Sequence, residues 1–402
     1  MISIHVNASK EYDVILKAGV LSEAGELIRE DLSHRRGTAG ILRSRKVCIV
    51  TDETVADLYG GQQQTLFSSL RSAGFDVSRF VFPGGEDHKN METISRLLDH
   101  LTENRFSRSD LLVALGGGIV GDVTGFAAAI YLRGIDFVQI PTTLLAAVDS
   151  SVGGKTGVNL PAGKNLAGAF WQPNLVLFDP SVLTTLSQDL LLDGMAEILK
   201  AGFIADSTAI YAALMVPQDS AEDEPSEENE EGAASPSPLY NFLRVGQSGP
   251  RPPIFDHPEE MMRLIAKAID IKRAIVEEDE RESGSRKLLN LGHTVGHAIE
   301  KCSDYGISHG AAVAMGTSII AKAGQNMGWV KEGYGDDICA ILQYFGFDLH
   351  CPYPAFALAD VAYNDKKIQG NQITLVIPEY PGHSILKDVP ALDLEHIIQQ
   401  GL

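Results

Sequence analysis

With 402 residues, 53 acidic against 33 basic side chains and a net charge of −20, the chain is too long for one ordinary core and its field repels a polyphosphate backbone. Two domains of roughly 150–200 residues are expected, and nucleic acid is excluded as a partner. A phosphorylated small molecule is not excluded, because Lys and Arg can be concentrated inside one cleft. No stretch reaches the roughly 18 apolar residues that span a bilayer. Met1–His5 opens without a basic leader, and Cys48, Cys302, Cys339 and Cys351 form no CxxC pair. A cytoplasmic protein with reduced thiols and no membrane partner is the expectation.

In chain order, strand-length apolar runs come first: Val47–Val50, Arg79–Phe82, Leu111–Leu115, Phe137–Ile140 and Leu175–Phe178. Amphipathic segments such as Met91 to Asn104 separate them. Continuous apolar strands alternating with helices imply a parallel sheet covered on both faces. Residues 1–180 are therefore expected to form an α/β domain with a Rossmann-like sheet. Beyond Pro180 the period becomes helical, through Met261, Leu264, Ile265, Ala268, Ile269, Lys272 and Ile275, and again from Gly310 to Met327. Pro258 sits where a first-turn proline is tolerated. Residues 181–402 thus read as a mostly α-helical domain, with one late strand at Ile373–Ile377. Between the α/β part and these helical stretches, about 218–253 is rich in Glu, Asp, Ser, Pro and Gly and cannot bury enough apolar area to order itself. It is expected to be a flexible acidic insertion, and much of the net charge lies there.

Chemistry-bearing residues cluster at the ends of these elements. After Leu115 comes Gly116-Gly117-Gly118-Ile119-Val120-Gly121-Asp122, a GxGxxG turn between strand and helix. Residues without Cβ let backbone amides approach a pyrophosphate, although such turns also serve tight packing alone. The motif lies far from the chain start, so the strand order should differ from a standard dinucleotide fold. Asp52 ends an earlier strand and could hold ribose hydroxyls or merely cap a helix. Pro83-Gly84-Gly85-Glu86 is a further nucleotide-loop candidate. Asp149 to Gly157 contains Gly153-Gly154-Lys155-Thr156, but Ser150 stands where an ATP-binding loop needs glycine. Lys155, Lys164 and Asn165, bracketed by glycines in a loop, could still grip a phosphate and a carboxylate. Glu197 and Lys200 share a helix face, which by itself suggests a surface ion pair. His293 and His297 are spaced as two imidazoles on one helix face, and His309 follows close by. With one carboxylate such as Glu197, two of the three would form an open catalytic metal site.

Strings of this kind are long enough to carry a resemblance. Residues 116–122, Pro141 through Thr156, Gly163-Lys164-Asn165, Met195-Ala196-Glu197, Arg286 through His293 and Ser308-His309-Gly310 resemble the 3-dehydroquinate synthase family. The likeness extends over nearly the whole chain outside the acidic insertion. It implies an NAD-binding α/β domain and a helical metal- and substrate-binding domain. It implies that Glu197, His293 and His309 hold Zn2+ or Co2+, while His297 faces the substrate phosphate with Lys155, Asn165 and Asn290. Arg286 and Lys164 would take the substrate carboxylate. Asp149, Lys200 and Lys272 would meet ring hydroxyls. Lys366, of the pair Lys366–Lys367, would close over the phosphate, and Arg133 would reach into the neighbouring site of a homodimer. Asp52, Glu86, Lys89, Gly117, Gly118, Asp122, Thr142 and Thr143 would line the NAD pocket. Two departures stand out. Ala311 follows Gly310 where the family commonly has Glu, and the stretch around the insertion is longer than usual.

The reaction so implied turns 3-deoxy-D-arabino-heptulosonate 7-phosphate into 3-dehydroquinate and phosphate. Transient oxidation by NAD acidifies the proton beside the new ketone, phosphate is eliminated, the ketone is reduced again, and an intramolecular aldol closes the ring. Such a step in aromatic amino acid biosynthesis needs positioning and charge neutralisation more than general bases. Two other enzyme classes compete: another sugar-phosphate cyclase, and a metal-dependent polyol dehydrogenase that releases NADH. A third possibility is a non-catalytic NAD-binding scaffold.

Overall fold

The computed structural model describes residues 1–35, 45–59, 64–214, 253–363 and 371–402. Lys366, Lys367 and the acidic stretch 218–252 lie outside the described residues. The chain divides into two compact units, one made of Met1–Ser187 with Lys272–Arg281, the other of Gln188–Ile271 with Glu282–Leu402.

The first unit is built on a seven-stranded sheet. Its strands are β1 (Ile2–Val6), β2 (Tyr12–Leu16), β3 (Lys46–Asp52), β4 (Asp76–Phe82), β5 (Leu111–Gly116), β6 (Asp136–Pro141) and β9 (Leu175–Phe178), in the order β1-β2-β9-β6-β5-β3-β4. All neighbours are parallel except β1 with β2. Every residue of β5 is buried, which is why it reads as one unbroken apolar run. The two amino-terminal strands escape a search for such runs because they alternate, β2 with burial on every second residue. Helix α1 (Met91–Glu103), whose amino-terminal cap is Asn90, buries Ile94, Leu97 and Leu101 against the sheet. The strand order confirms that the glycine motif belongs to a central strand rather than to the first one.

Between β6 and β9 the glycine-bracketed segment is not a loop. It forms a two-stranded antiparallel hairpin, β7 (Lys155–Leu160) and β8 (Gly163–Phe170). Glycine disfavours strands in general, yet here it permits close backbone approach. A Cβ on Gly157 would lie 2.7 Å from the Ala167 carbonyl oxygen. Segment Lys272–Arg281 is tied within this unit by Glu280, which accepts from Ser9 Oγ at 2.6 Å and from Gln172 Nε2 at 2.6 Å.

The second unit is mostly helical, with α3 (Gln188–Ile204), α5 (His293–Cys302) and α6 (His309–Asn326) at its centre; α2 and α4 are Gly118–Ile130 and Pro258–Glu278. Residues Gly194–Ile204 are all buried. The single late strand expected at Ile373–Ile377 is in fact one arm of a hairpin, β10 (Gln372–Tyr380) with β11 (His383–Pro390). β11 buries only Ser384 and Val389 and carries Lys387 and Asp388, so it lacks the apolar run that betrays β10. Among the described residues no helix is long and apolar enough to cross a membrane.

Candidate metal centre and dinucleotide loop

Glycines set how closely the central helices of the second unit approach. A Cβ on Gly296 would lie 3.1 Å from the Ala312 carbonyl oxygen, and one on Gly316 would lie 2.8 Å from the Gly296 nitrogen, so α5 and α6 meet backbone to backbone. Gly310 does the same for α6 against α3, where a Cβ would meet the Asp193 carbonyl oxygen at 2.7 Å. These contacts explain why the histidines are flanked by glycine. They bring together one residue from each of three helices.

Glu197, His293 and His309 place one ligand atom each within 4.8 Å of one another. Glu197 Oε1 lies 3.5 Å from His293 Nε2 and 3.4 Å from His309 Nε2. The tautomer of His293 follows from its neighbour. Its Nδ1 is 3.0 Å from the Leu291 carbonyl oxygen, which can only accept, so Nδ1 carries the hydrogen and Nε2 presents its lone pair toward Glu197. Ligands about 2.0–2.1 Å from a tetrahedral zinc stand roughly 3.4 Å apart. The two imidazoles and the carboxylate therefore fit a divalent cation with at least one position left open. Burial works against charge on His309, but its bonds to Glu197 and Glu300 outweigh that and push the pKa up to about 10. A positive charge is favoured at this point of the fold.

The i,i+4 pair His293 and His297 lies on one helix with rings 5.3 Å apart, yet Glu197 meets His293 and His309 rather than His297. His297 instead belongs to a second group with Glu300 and His309. Glu197 and Lys200 do pair, but not at the surface: their side chains are only 2% and 4% exposed. Arg286 is 1% exposed, and Asn290 donates to Glu282 at 2.8 Å. Glu282 was not singled out in the sequence, and its φ of 59° is a conformation L side chains rarely adopt. Nothing in its charged surroundings, Asp279 through Arg286, sets it apart. Glu300 is a further residue of this group, and the sequence does carry a signal for it: it follows His293 by seven residues and His297 by three, so all three share a face.

The first unit gathers the residues expected around a dinucleotide. Helix α2 starts from Gly117, which brings no side-chain cap, so the first-turn amides remain available to an anion. Cβ atoms would sit 3.3 Å from Thr143 Cγ2 at Gly117, and 3.1 Å from Ser150 Oγ at Gly118. Gly121 is required for packing, since its Cβ would lie 2.7 Å from Gln139 Oε1 on β6. Thr142 donates its amide to the Gly116 carbonyl at 3.0 Å, and Thr143 Oγ1 accepts from Ala146 N at 3.1 Å. Buried Lys89 bridges Asp122 at 2.6 Å and Asn165 Oδ1 at 2.6 Å, while Asn159 links to Glu86 at 2.8 Å. Burial raises the Asp122 carboxyl above its ordinary range, with Lys89 pulling it back down. Asp52 caps a helix, accepting from Val55 N at 2.9 Å.

Asp149 sits in a π-turn, Ala146–Ser150, and pairs with Lys272 at 2.5 Å within the same unit. Such turns recur at functional sites. Lys155 is exposed on β7 and Lys164 half-buried on β8. Arg133 is exposed and left-handed at φ 66°, as is Leu132 before it at φ 50°.

Comparison with known proteins agrees with this arrangement. Residues 79–193 match the model of the 3-dehydroquinate synthase amino-terminal domain, and residues 243–368 that of its carboxy-terminal domain. The 3-dehydroquinate synthase of Streptococcus sanguinis strain SK36 is 38% identical over 391 residues, covering 97% of both chains. A crystal structure of 2-deoxy-scyllo-inosose synthase with carbaglucose-6-phosphate, NAD+ and Co2+ superposes with a TM-score of 0.77 at 23% identity over 100% of both chains. The 2-epi-5-epi-valiolone synthase of Streptomyces hygroscopicus subsp. jinggangensis 5008, with NAD+ and Zn2+ bound, gives 0.76 at 24% identity over 98% of both. These structures share the fold, and the sequence relatives settle the lineage: the chain belongs to the 3-dehydroquinate synthase family.

Proposed function

We propose that the chain converts 3-deoxy-D-arabino-heptulosonate 7-phosphate into 3-dehydroquinate and inorganic phosphate, with NAD and a divalent cation, Zn2+ or Co2+. The convergence of Glu197, His293 and His309, in a chain of this family, is the observation that carries the reading. When bound, the cation supplies Lewis acidity toward the substrate oxygens, and NAD supplies a hydride acceptor that returns what it takes.

The α/β stretch 1–180 is the NAD-binding part and 181–402 the metal- and substrate-binding part. On the NAD side, Gly117, Gly118, Thr142 and Thr143 shape the turn at the start of α2, and Lys89, Asp122, Glu86 and Asp52 offer polar contacts around it. The exposed Lys155, together with Asn165, Asn290, His297 and Lys366, neutralises and orients the phosphate. Arg286 and Lys164 hold the carboxylate. Asp149, Lys200 and Lys272 bind hydroxyls, a reading that the Asp149–Lys272 pair supports. Exposed Arg133, flanked by the exposed apolar Ile130 and Leu132, supports a homodimer in which it reaches the neighbouring site; the reading places the enzyme in the cytoplasm. The protein's part is to hold ions of both signs in register, which is the larger share of catalysis when a charged group leaves.

The test is phosphate release from the heptulosonate with catalytic NAD. Release should stop with chelator and return with Zn2+ or Co2+, while NADH stays at enzyme level. NADH growing with turnover would indicate a polyol dehydrogenase, and preference for a sugar phosphate without a carboxylate would indicate another cyclase. His297→Ala should keep about one cation per chain while lowering kcat/KM roughly 10²-fold. Loss of the stoichiometric cation there, measured by elemental analysis, would mean that His297 and not its neighbours binds metal. Asp52→Ala should lower stability by about 1 kcal/mol through the lost cap, seen in Tm. A rise in KM for NAD would accompany it if Asp52 also touches ribose, and an unchanged KM would leave it a cap alone.

A further inference from the structure

His309 and His293 present the same nitrogen to Glu197, but their rings are fixed differently. His293 is held through Nδ1 by the Leu291 carbonyl, within its own chain turn. His309 opens α6, with its backbone clamped from α3: Asp193 Oδ1 accepts from Ser308 Oγ at 2.6 Å and from Gly310 N at 2.9 Å. That clamp fixes where the helix begins and leaves the ring free to turn about its own bonds. The group facing its Nδ1 is Glu300, whose Oε2 lies 3.5 Å away and whose side chain is 8% exposed. Glu300 reaches it from the face of α5 that carries His293 and His297.

We propose that Glu300 is a positioning residue: by accepting from His309 Nδ1 it turns Nε2 toward Glu197, and so sets the affinity of the site for its cation. A carboxylate is suited to this, because it can only accept while ionised and so enforces the tautomer with hydrogen on Nδ1. The inference rests on the metal site proposed above. The competing use of the same atoms is ligation. Glu300, His297 and His309 also lie with ligand atoms within 4.8 Å of one another, a spacing that suits ligation by Glu300 itself. Orientation is favoured because His309 can offer Nε2 to a cation shared with Glu197 and His293 while its Nδ1 engages Glu300, whereas ligation beside Glu300 would use the opposite edge of the ring.

The experiment is Co2+ binding to the full-length protein by competition with a chromophoric chelator, together with the visible absorption of the Co2+ form. Glu300→Gln keeps an acceptor oxygen and should bind Co2+ within about threefold of the parent. Glu300→Ala removes the acceptor and should bind roughly 10- to 100-fold more weakly, still with one ion per chain at saturation and an unchanged absorption envelope. Equal affinity in the Ala variant overturns the proposal. So does a Gln variant as weak as Ala, since charge and not orientation would then be at work. A changed envelope or a lost equivalent in both variants also overturns it, by making Glu300 a ligand. Should the parent itself bind no Co2+, the metal site fails rather than the role of Glu300. Melting temperatures of the metal-free variants separate any folding defect from weak binding, and the Gln variant, nearly isosteric, keeps the question answerable if Ala does not fold.

Discussion

Glu197→Gln is expected to lose stoichiometric zinc and to lower kcat by roughly 10³-fold or more, because the one anionic ligand disappears and several kcal/mol of Lewis-acid assistance goes with it. Its effect should not stop at the metal. Lys200 is 4% exposed and pairs with the same carboxylate, so the neutral amide leaves a buried ammonium without its counter-ion. Removing one member of such a pair costs about 3–5 kcal/mol. The metal-free Gln variant should therefore melt well below the parent, and zinc should not rescue it. Lys200→Met makes the contrast. There the unbalanced charge is Glu197, which a cation can neutralise, so Tm should recover on adding zinc through preferential binding to the native state. The double variant should regain stability without regaining zinc. Calorimetry with and without chelator, beside elemental analysis, reads all four proteins. A Gln variant that still binds one zinc with parental affinity would remove Glu197 from the ligand set.

How much of this was legible in the residues depends on where the signal resides. Helices and central strands announce themselves, because β5 is buried on both faces and has no choice but to be apolar, while α4 repeats Met261, Leu264, Ile265 and Ala268 with the period of its buried face. Edge strands do not, since β1 buries only Val6 and β11 only Ser384 and Val389. The β7–β8 hairpin reads as a loop in the sequence for the opposite reason: its glycines, which usually break strands, here permit two backbones to touch. At the metal centre the residue types could be read but their combination could not. Spacing joins His293 with His297, whereas three-dimensional convergence joins His293 with His309 and with Glu197 from almost a hundred residues earlier. That choice is made by Gly296, Gly310 and Gly316, which let three helices approach, and only the family resemblance anticipated it. The buried setting of Glu197 and Lys200 was equally hidden, because i,i+3 pairs of opposite charge are far more often solvated.

Arg286 is the residue proposed to read the substrate carboxylate. A guanidinium 1% exposed in a turn of six residues, Ser285–Asn290, is costly to desolvate and is kept where an anion compensates it. In the proposed reaction the substrate carboxylate is one such anion, a group that sugar phosphates without an acid do not carry. Arg286→Met preserves length and apolar volume but removes the planar fork. It should reduce kcat/KM for the heptulosonate phosphate by about 2–5 kcal/mol of transition-state binding, roughly 30- to 4,000-fold. For a sugar phosphate lacking the carboxylate, the already slow rate should change little, because no partner for the guanidinium is lost. The ratio of the two specificity constants is thus the quantity to follow, and it should collapse toward one. Metal content and Tm serve as controls, since Arg286 stands seven residues from His293. If both substrates lose rate by the same factor, Arg286 supports the fold of its turn and does not read the carboxylate, and the case for an acid-bearing substrate would then rest on Lys164 and on family membership alone.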